Sequence, residues 1–320
     1  MAAVNQKAVN LLLQHMEAGA KDSHCTGRPR RRCHRGHAPD AQVARFVLSY
    51  LDTFGYLPQE LASWRDIQAD DIVAAIKDFQ SWFGLPRTGK VCVQTVRAMT
   101  APRCGFPEHA RAGHPSDTVR QFIRANLPRW QKDRLTYFIL EYVPGISRTD
   151  FESTVHEAFQ AWTRHGNINV EPVRQQGKAD ILIATGQGPQ SHFDGPGGTL
   201  AWAQLPTGRD NQLLMRFDAD ETWTLDPKRR GILLLNVACH EFGHLFGLDH
   251  SRVPSALMAP YYNAAVQVPQ ENDDIPRFQA RYGARQDAPA PPDGAAAGGE
   301  AELVVRGRFH AVWLNGKKVA

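Results

Sequence analysis

His240-Glu241-Phe242-Gly243-His244-Leu245-Phe246-Gly247-Leu248-Asp249-His250-Ser251 closes an apolar run that begins near Ile232. The run has the length and composition of a buried helix, on which residues four apart lie one above the other. His240 and His244 therefore offer two imidazoles to a single cation, with Glu241 beside them. Gly247 can end that helix, because glycine accepts a left-handed backbone, and His250 follows once the chain has turned back. Three neutral imidazoles with an open fourth position describe a catalytic zinc site rather than a closed structural one. Imidazole suits zinc, and the residue types alone leave another divalent metal open.

Upstream of this helix, residues 135–142, 181–184, 199–204 and 213–217 carry the patterns of strands. Between the first two, Phe151, Val155, Phe159 and Trp162 recur on one helical face, and Ser147 with Asp150 resembles its capping box. A last short helix is expected over 273–282. Strands and helices in this order give an α+β fold, a mixed sheet packed on helices. Further upstream, Val43, Val47 and Leu51, then Ile72, Ile76 and Phe79, then Val93 and Val96 recur at helical spacing, so residues 41–100 read as a small three-helix unit. Pro102, Gly105 and Pro107 forbid a helix in the stretch that follows and make it an extended linker containing Cys104. Residues 284–302 are almost wholly Ala, Pro, Gly and acidic, a flexible linker. The tail, 303–320, alternates like a hairpin around Asn315-Gly316 and is too short to fold alone.

A chain of 320 residues suggests two or three domains, and 42% hydrophobic with 22% charged residues matches an ordinary soluble protein. No apolar run approaches the roughly 18 residues that span a bilayer. The net charge of +4 is concentrated: residues 21–37 hold six Lys or Arg and one Asp, so the rest of the chain sums to −1. A nucleic-acid groove is therefore not expected, and residues 1–40 read as a flexible basic segment. Five cysteines are too few, and odd in number, to organise the fold as a disulfide framework. The first 20 residues lack the pattern of a secretory leader, so secretion is not read from this N-terminus.

His240, Glu241, His244, Gly247 and His250 meet the signature of the metzincin metalloproteases, and Met258, in Ala256-Leu257-Met258-Ala259-Pro260-Tyr261-Tyr262, resembles that family's methionine turn. Asp249 and Ser251 flank the third histidine as in the matrixin, or matrix metalloproteinase, subgroup. Pro102-Arg103-Cys104-Gly105-Phe106-Pro107-Glu108 is similar to the matrixin cysteine switch, whose thiolate takes the fourth zinc position and keeps water from being activated. The helices before it, with Phe54-Gly55-Tyr56-Leu57, Phe79-Gln80 and Thr88-Gly89, resemble the peptidoglycan-binding-like fold of matrixin propeptides.

The resemblance implies a metzincin catalytic domain at 117–283, with a mixed, mostly parallel five-stranded sheet and three helices. A three-helix prodomain at 41–100 and a switch and activation segment at 101–116 would precede it. Glu241 is the implied general base, and Pro260 and Tyr262 the implied wall of the substrate pocket. A structural Ca2+ is implied at Asp194, Asp218 and Glu221, with the carbonyls of Gly195, Gly197 and Thr199. The family's second, structural Zn2+ is expected to be absent, because its ligand positions fall near Gln187, Pro189, Trp202 and Arg216. A further calcium position at Asp180 lacks its other acidic partner. The implied function is that of a latent extracellular zinc endopeptidase acting on protein or peptide substrates, matrix proteins among them. Its partners would be an activating protease and protein inhibitors, and it would work as a monomer. The activating cut is expected in an exposed stretch, 109–116. The alternative from another class is a non-catalytic glycan- or peptidoglycan-binding protein with a capped zinc site, against which an intact Glu241 and an intact switch argue.

Overall fold

Ala8, Val9 and Leu12 fall on one helical face and are fully buried, and the segment that carries them, Gln6–Lys21, is helix α1. The computed structural model describes residues 6–21, 41–58, 67–109, 129–208 and 212–285, together with 304–305, 312–314 and 317–318. The flexible segment expected over 1–40 is thus corrected in its first half. An apolar face spaced for a helix finds a partner surface there, and residues 22–40, with most of the basic run, lie outside the described residues. Helices α2 (Ala41–Thr53), α3 (Ala69–Trp82) and α4 (Val93–Met99) follow, and Val47, Leu51, Ile72, Ile76, Phe79 and Met99 join the α1 side chains in one core. Residues 41–100 carry the three expected helices among the described residues, and α1 adds a fourth from outside that stretch. Gln80 is buried inside it and fully used: its amide donates to Thr88 Oγ1, Lys90 O and Thr95 Oγ1, and its Oε1 accepts from Gly89 N–H. A buried amide so satisfied costs little and fixes the loop between α3 and α4.

The rest of the first compact unit, which runs to Arg285, is built on one sheet. Its strands are β1 (Arg103–Cys104), β2 (Arg134–Ile139), β3 (Asn169–Pro172), β4 (Ile181–Gly186), β5 (Thr199–Ala203) and β6 (Leu213–Asp218), in the spatial order β1-β5-β6-β4-β2-β3. β2, β3, β4 and β6 are mutually parallel, and β5 runs antiparallel to β6. The mostly parallel five-stranded sheet is as expected, and the switch segment adds β1 as a sixth strand, parallel to β5. A two-strand pair, β7 (Trp223–Thr224) with β8 (Ile232–Leu233), leads into the metal-site helix.

Among the described residues two helices pack on the sheet, α5 (Arg148–Thr163) and α6 (Leu234–Leu245), and α7 (Asp274–Tyr282) packs against them through Phe278 on Trp162 and Phe246. Ser147 caps α5 by accepting from Asp150 N–H at 3.1 Å, as its sequence suggests. Phe159 of α5 stacks on Phe242 of α6 with centroids 3.8 Å apart, and Trp162 Nε1–H donates to Cys239 O at 2.7 Å. These contacts bury nearly all of α6, including both its histidines and Glu241. Arg285 donates to Asn169 Oδ1, so the domain extends two residues past the expected end at 283. In the second unit, β9 (Val304–Val305), β10 (Val312–Leu314) and β11 (Lys317–Lys318) pair antiparallel, one strand more than a hairpin. Asn315 and Gly316 and the 286–302 linker lie outside the described residues.

Gly243, inside α6, leaves no room for a side chain: an added Cβ would collide with Met258 Sδ and meet the rigid Trp162 ring at 2.9 Å. Gly243→Ala should lower stability by about 1–3 kcal/mol through overpacking, despite alanine's better helix propensity. Thermal unfolding of the zinc-loaded chain checks this; an unchanged or raised midpoint would contradict the packing argument.

Candidate metal centre

One helical turn separates His240 from His244, and their rings lie 5.1 Å apart. Gly247, at φ +87°, reverses the chain, and His250 returns with its ring 5.3 Å from His240 and 4.9 Å from His244. His240 Nδ1 lies 2.7 Å from Leu257 O, and His244 Nδ1 2.7 Å from Leu248 O. A carbonyl only accepts, so each Nδ1 carries the proton and each Nε2 presents its lone pair. Burial lowers His240 to about 4, and burial followed by the charges of His250 and His240 lowers His244 well below the usual histidine range. Both imidazoles are thus neutral at pH 7, the form that binds metal.

Cys104 completes the set. Its Sγ lies 3.4 Å from His244 Nε2, and the four ligand atoms of Cys104, His240, His244 and His250 all fall within 4.8 Å of one another. His240 Nε2 is buried with no hydrogen-bond partner, which an interior leaves only where something else takes its lone pair. Glu241 is wholly buried beside them, with neither carboxylate oxygen hydrogen-bonded, and burial pushes its pKa up to about 8. The Cys104 thiol is likewise pushed well up, first by burial and then by Glu241. A tetrahedral divalent cation with sulfur and nitrogen ligands fits these residues.

The switch segment reaches this point between two walls. Arg103 N–H and Gly105 N–H donate to Gly198 O and Ala201 O on β5, at 3.0 and 2.8 Å. On the other side Cys104 N–H donates to Pro260 O at 3.0 Å, and Tyr262 N–H to Pro102 O at 2.8 Å. Pro260 and Tyr262 thus line a pocket with Leu200, Val237 and Ala256 that opens beside Glu241. Arg103 and Glu108, which the sequence marks only as members of the switch heptad with no role of their own, are both buried and paired with each other. Arg103 also donates to Tyr50 OH and lies over the Phe54 ring at 3.4 Å, which ties the switch to the helical core. Phe106 covers the site, its ring 4.5 Å from that of His244. Met258 is fully buried directly under α6. His109, expected at the start of an exposed stretch, is buried: it packs edge-on against Tyr56 and Trp82, and its Nε2 lies 2.7 Å from Asp78 Oδ2. Residues 110–116 lie outside the described residues.

Asp194, Gly195, Gly197, Thr199, Asp218 and Glu221 share one loop region. Asp194 Oδ1 accepts from Thr199 N–H at 2.7 Å, and Glu221 accepts from Gly197 N–H. The carboxylates do not converge as the Cys104 sulfur and the three imidazoles do; among the described residues only the Cys104 group brings three or more such atoms within 4.8 Å. Asp218 Oδ2 is nevertheless buried without a partner. Burial and the neighbouring charges of Asp220, Glu221 and Asp194 raise Asp218 to about 6. Gln187, Trp202 and Arg216 spend their donors on Asp220 Oδ1, Ser191 O and Thr185 O. Asp180 accepts from Lys132 Nζ at 2.6 Å and from Thr136 N–H at 2.8 Å.

A family model described as "Matrixin" matches residues 129–283, and one described as "Putative peptidoglycan binding domain" matches 45–99. The chain is 39% identical to the interstitial collagenase of Equus caballus over 218 residues, 67% of this chain and 44% of that protein. It is 38% identical to the neutrophil collagenase of Homo sapiens over 245 residues, covering 74% and 49%, and 33% identical to matrix metalloproteinase-16 of Rattus norvegicus over 258 residues, covering 76% and 42%. The chain spans about half the length of the curated relatives it matches.

At Gly105 an added Cβ would meet Thr199 Cγ2 at 2.7 Å and Trp202 Cβ at 3.3 Å. Gly105→Ala should lift the segment and make Cys104 react with a thiol reagent about tenfold faster, the equivalent of roughly 1.4 kcal/mol. An unchanged labelling rate would mean that β5 yields instead. Four converging ligands on a mostly parallel sheet, a prodomain thiol among them, and the two family matches lead to one conclusion: the chain belongs to the matrixin, or matrix metalloproteinase, family.

Proposed function

We propose that this chain is a latent zinc endopeptidase that hydrolyses peptide bonds of extracellular proteins once Cys104 leaves the metal site. The observation that supports this most is the single cluster of Cys104, His240, His244 and His250 with buried Glu241 beside it. His240, His244 and His250 would hold the zinc through Nε2, with Cys104 as the fourth ligand of the latent form. When bound, zinc supplies a Lewis acid that acidifies water and polarises a carbonyl.

Glu241 then takes the proton of the attacking water on its carboxylate and returns a proton to the departing amine nitrogen. Burial raises its proton affinity to the range this task needs. The substrate would pair as a strand with β5, whose edge the switch segment occupies in the latent form. An apolar side chain would enter the pocket walled by Pro260 and Tyr262. Arg103 and Cys104 line that same pocket, so the prodomain blocks both the strand edge and the metal. Matrix proteins are the proposed substrates. An activating protease would cut after His109, because His109 itself is buried. Protein inhibitors, an extracellular location and a monomeric state are part of the same proposal. Among the described residues no helix is long and apolar enough to cross a membrane.

Ca2+ would be held by Asp194, Asp218 and Glu221 with the Gly195, Gly197 and Thr199 carbonyls, where the partnerless Asp218 oxygen and crowded negative charge suit a hard cation. One zinc per chain is proposed, since Gln187, Trp202 and Arg216 are committed to loop carbonyls and Asp220.

Cleavage of a quenched peptide by the purified full chain, before and after a thiol-reactive mercurial, tests the central reading. Activity should emerge only after modification, and Glu241→Ala should reduce it by about 10²–10⁴-fold. Silence in folded, zinc-loaded protein would reject it. The calcium assignment is tested separately by pH. Folded Asp218 binds its proton more tightly than the unfolded chain does. Without calcium its contribution should therefore reduce stability as pH rises from about 4 through about 6. Calcium, which selects the charged form, should abolish or reverse that slope in denaturant titrations; an identical slope with and without calcium would reject the site.

A further inference from the structure

The three metal-site histidines are not held alike. His240 and His244 are braced at Nδ1 by carbonyls of Leu257 and Leu248, which belong to the catalytic domain itself. His250 Nδ1 instead has Glu108 Oε1 at 3.1 Å, a carboxylate from the last residue of the switch heptad. It is an approach at ion-pair distance rather than an aligned hydrogen bond. Both side chains are wholly excluded from solvent. Glu108 is held in turn by Arg103, which makes an unbroken line from the Tyr50 hydroxyl through Arg103 and Glu108 to His250. A carboxylate behind a metal-binding imidazole orients the ring and raises its basicity, and losing such a partner typically costs about 10–100-fold in metal affinity.

We infer that Glu108 is a positioning residue of the zinc site, a prodomain carboxylate that braces His250 from behind and makes the latent chain hold its metal more tightly than the activated enzyme does. The inference rests on the zinc reading above and adds a second contribution of the prodomain to the site. Cys104 supplies a ligand, and Glu108 orients one. Release of the switch would withdraw both together, so the metal becomes more exchangeable at the moment its fourth position opens.

The test is zinc transfer from the full-length, zinc-loaded chain to the chromophoric chelator 4-(2-pyridylazo)resorcinol, with Cys104 accessibility to iodoacetamide measured in parallel. Glu108→Asp keeps a carboxylate for Arg103 but is one methylene shorter, and Glu108→Gln removes the charge. Both should lose zinc about tenfold faster or more, with Cys104 as protected as in the unaltered chain. Zinc loss at the unaltered rate would overturn the inference. So would faster loss accompanied by equal exposure of Cys104, because undocking of the switch would then explain it. If the unaltered chain binds no zinc, the reading of the site itself falls; if it binds zinc and the variants match it, only the role of Glu108 does.

Discussion

The latent site depends on the extended passage of residues 102–105 between β5 and the 260–262 wall. Backbone bonds alternate from one side to the other: Arg103 and Gly105 bond to β5, while Pro102 and Cys104 bond to the opposite wall. A strand held on both edges has no freedom to slide, since a shift of one residue would turn every side chain to the other face. That constraint delivers the Cys104 sulfur to 3.4 Å from His244 Nε2, although the two residues lie 140 positions apart in the chain. It also explains the requirement for Gly105, whose Cα passes too close to Thr199 and Trp202 for any side chain.

Exclusion of water sets the chemistry of the same region. Burial disfavours every charged form, so His240 and His244 stay neutral and Glu241 is pushed up to about 8. A charge can persist in such surroundings only with a partner at contact distance, and Arg103 and Glu108 supply one another. Replacing a buried pair of this kind with apolar residues often costs no stability, so its value here lies in register rather than in strength. The pair fixes where the switch segment ends and where the helical core begins, with Tyr50 and Phe54 receiving the guanidinium.

Much of this arrangement was legible in the sequence, and the omissions share a physical cause. The three histidines of the cluster are local in spacing, His240 and His244 by helical period and His250 by the glycine reversal, so local pattern places them, whereas Cys104 comes from 140 positions away. Four strands of the sheet follow from apolar runs at 135–142, 181–184, 199–204 and 213–217, whereas β3 leaves no such run because only Val170 of its four residues is buried. Helix α1 was read as part of a flexible basic segment because its apolar face spans little more than one turn and gains meaning only against α2 and α3. The roles of Arg103, Glu108 and His109 were hidden for a related reason. A polar residue in a linker reads as exposed, and its burial arises only when two domains close over it. His109 shows this most plainly, being covered by Tyr56 and Trp82 from the helical unit.

On the proposed function, the same contacts bear on how a cut would activate the chain. Among the described residues the contacts that hold the switch in place are non-covalent: the strand pairing, the Arg103 cluster, His109 against Asp78, Arg252 over the Trp82 ring at 4.6 Å, and Phe83 against Tyr261. All the prodomain partners in these contacts lie at or before His109. A cut beyond it therefore breaks none of them and leaves the thiol where it was. What it removes is the tether, which for a short linker is equivalent to a roughly millimolar local concentration of inhibitor. Once the tether is gone, the prodomain can dissociate and be diluted. The energetics of the buried interface, rather than the chemistry of the cut, then set how completely latency is lost. On the same proposal, modification of Cys104 would work from the opposite end, by removing the fourth ligand first and leaving the helical core to follow.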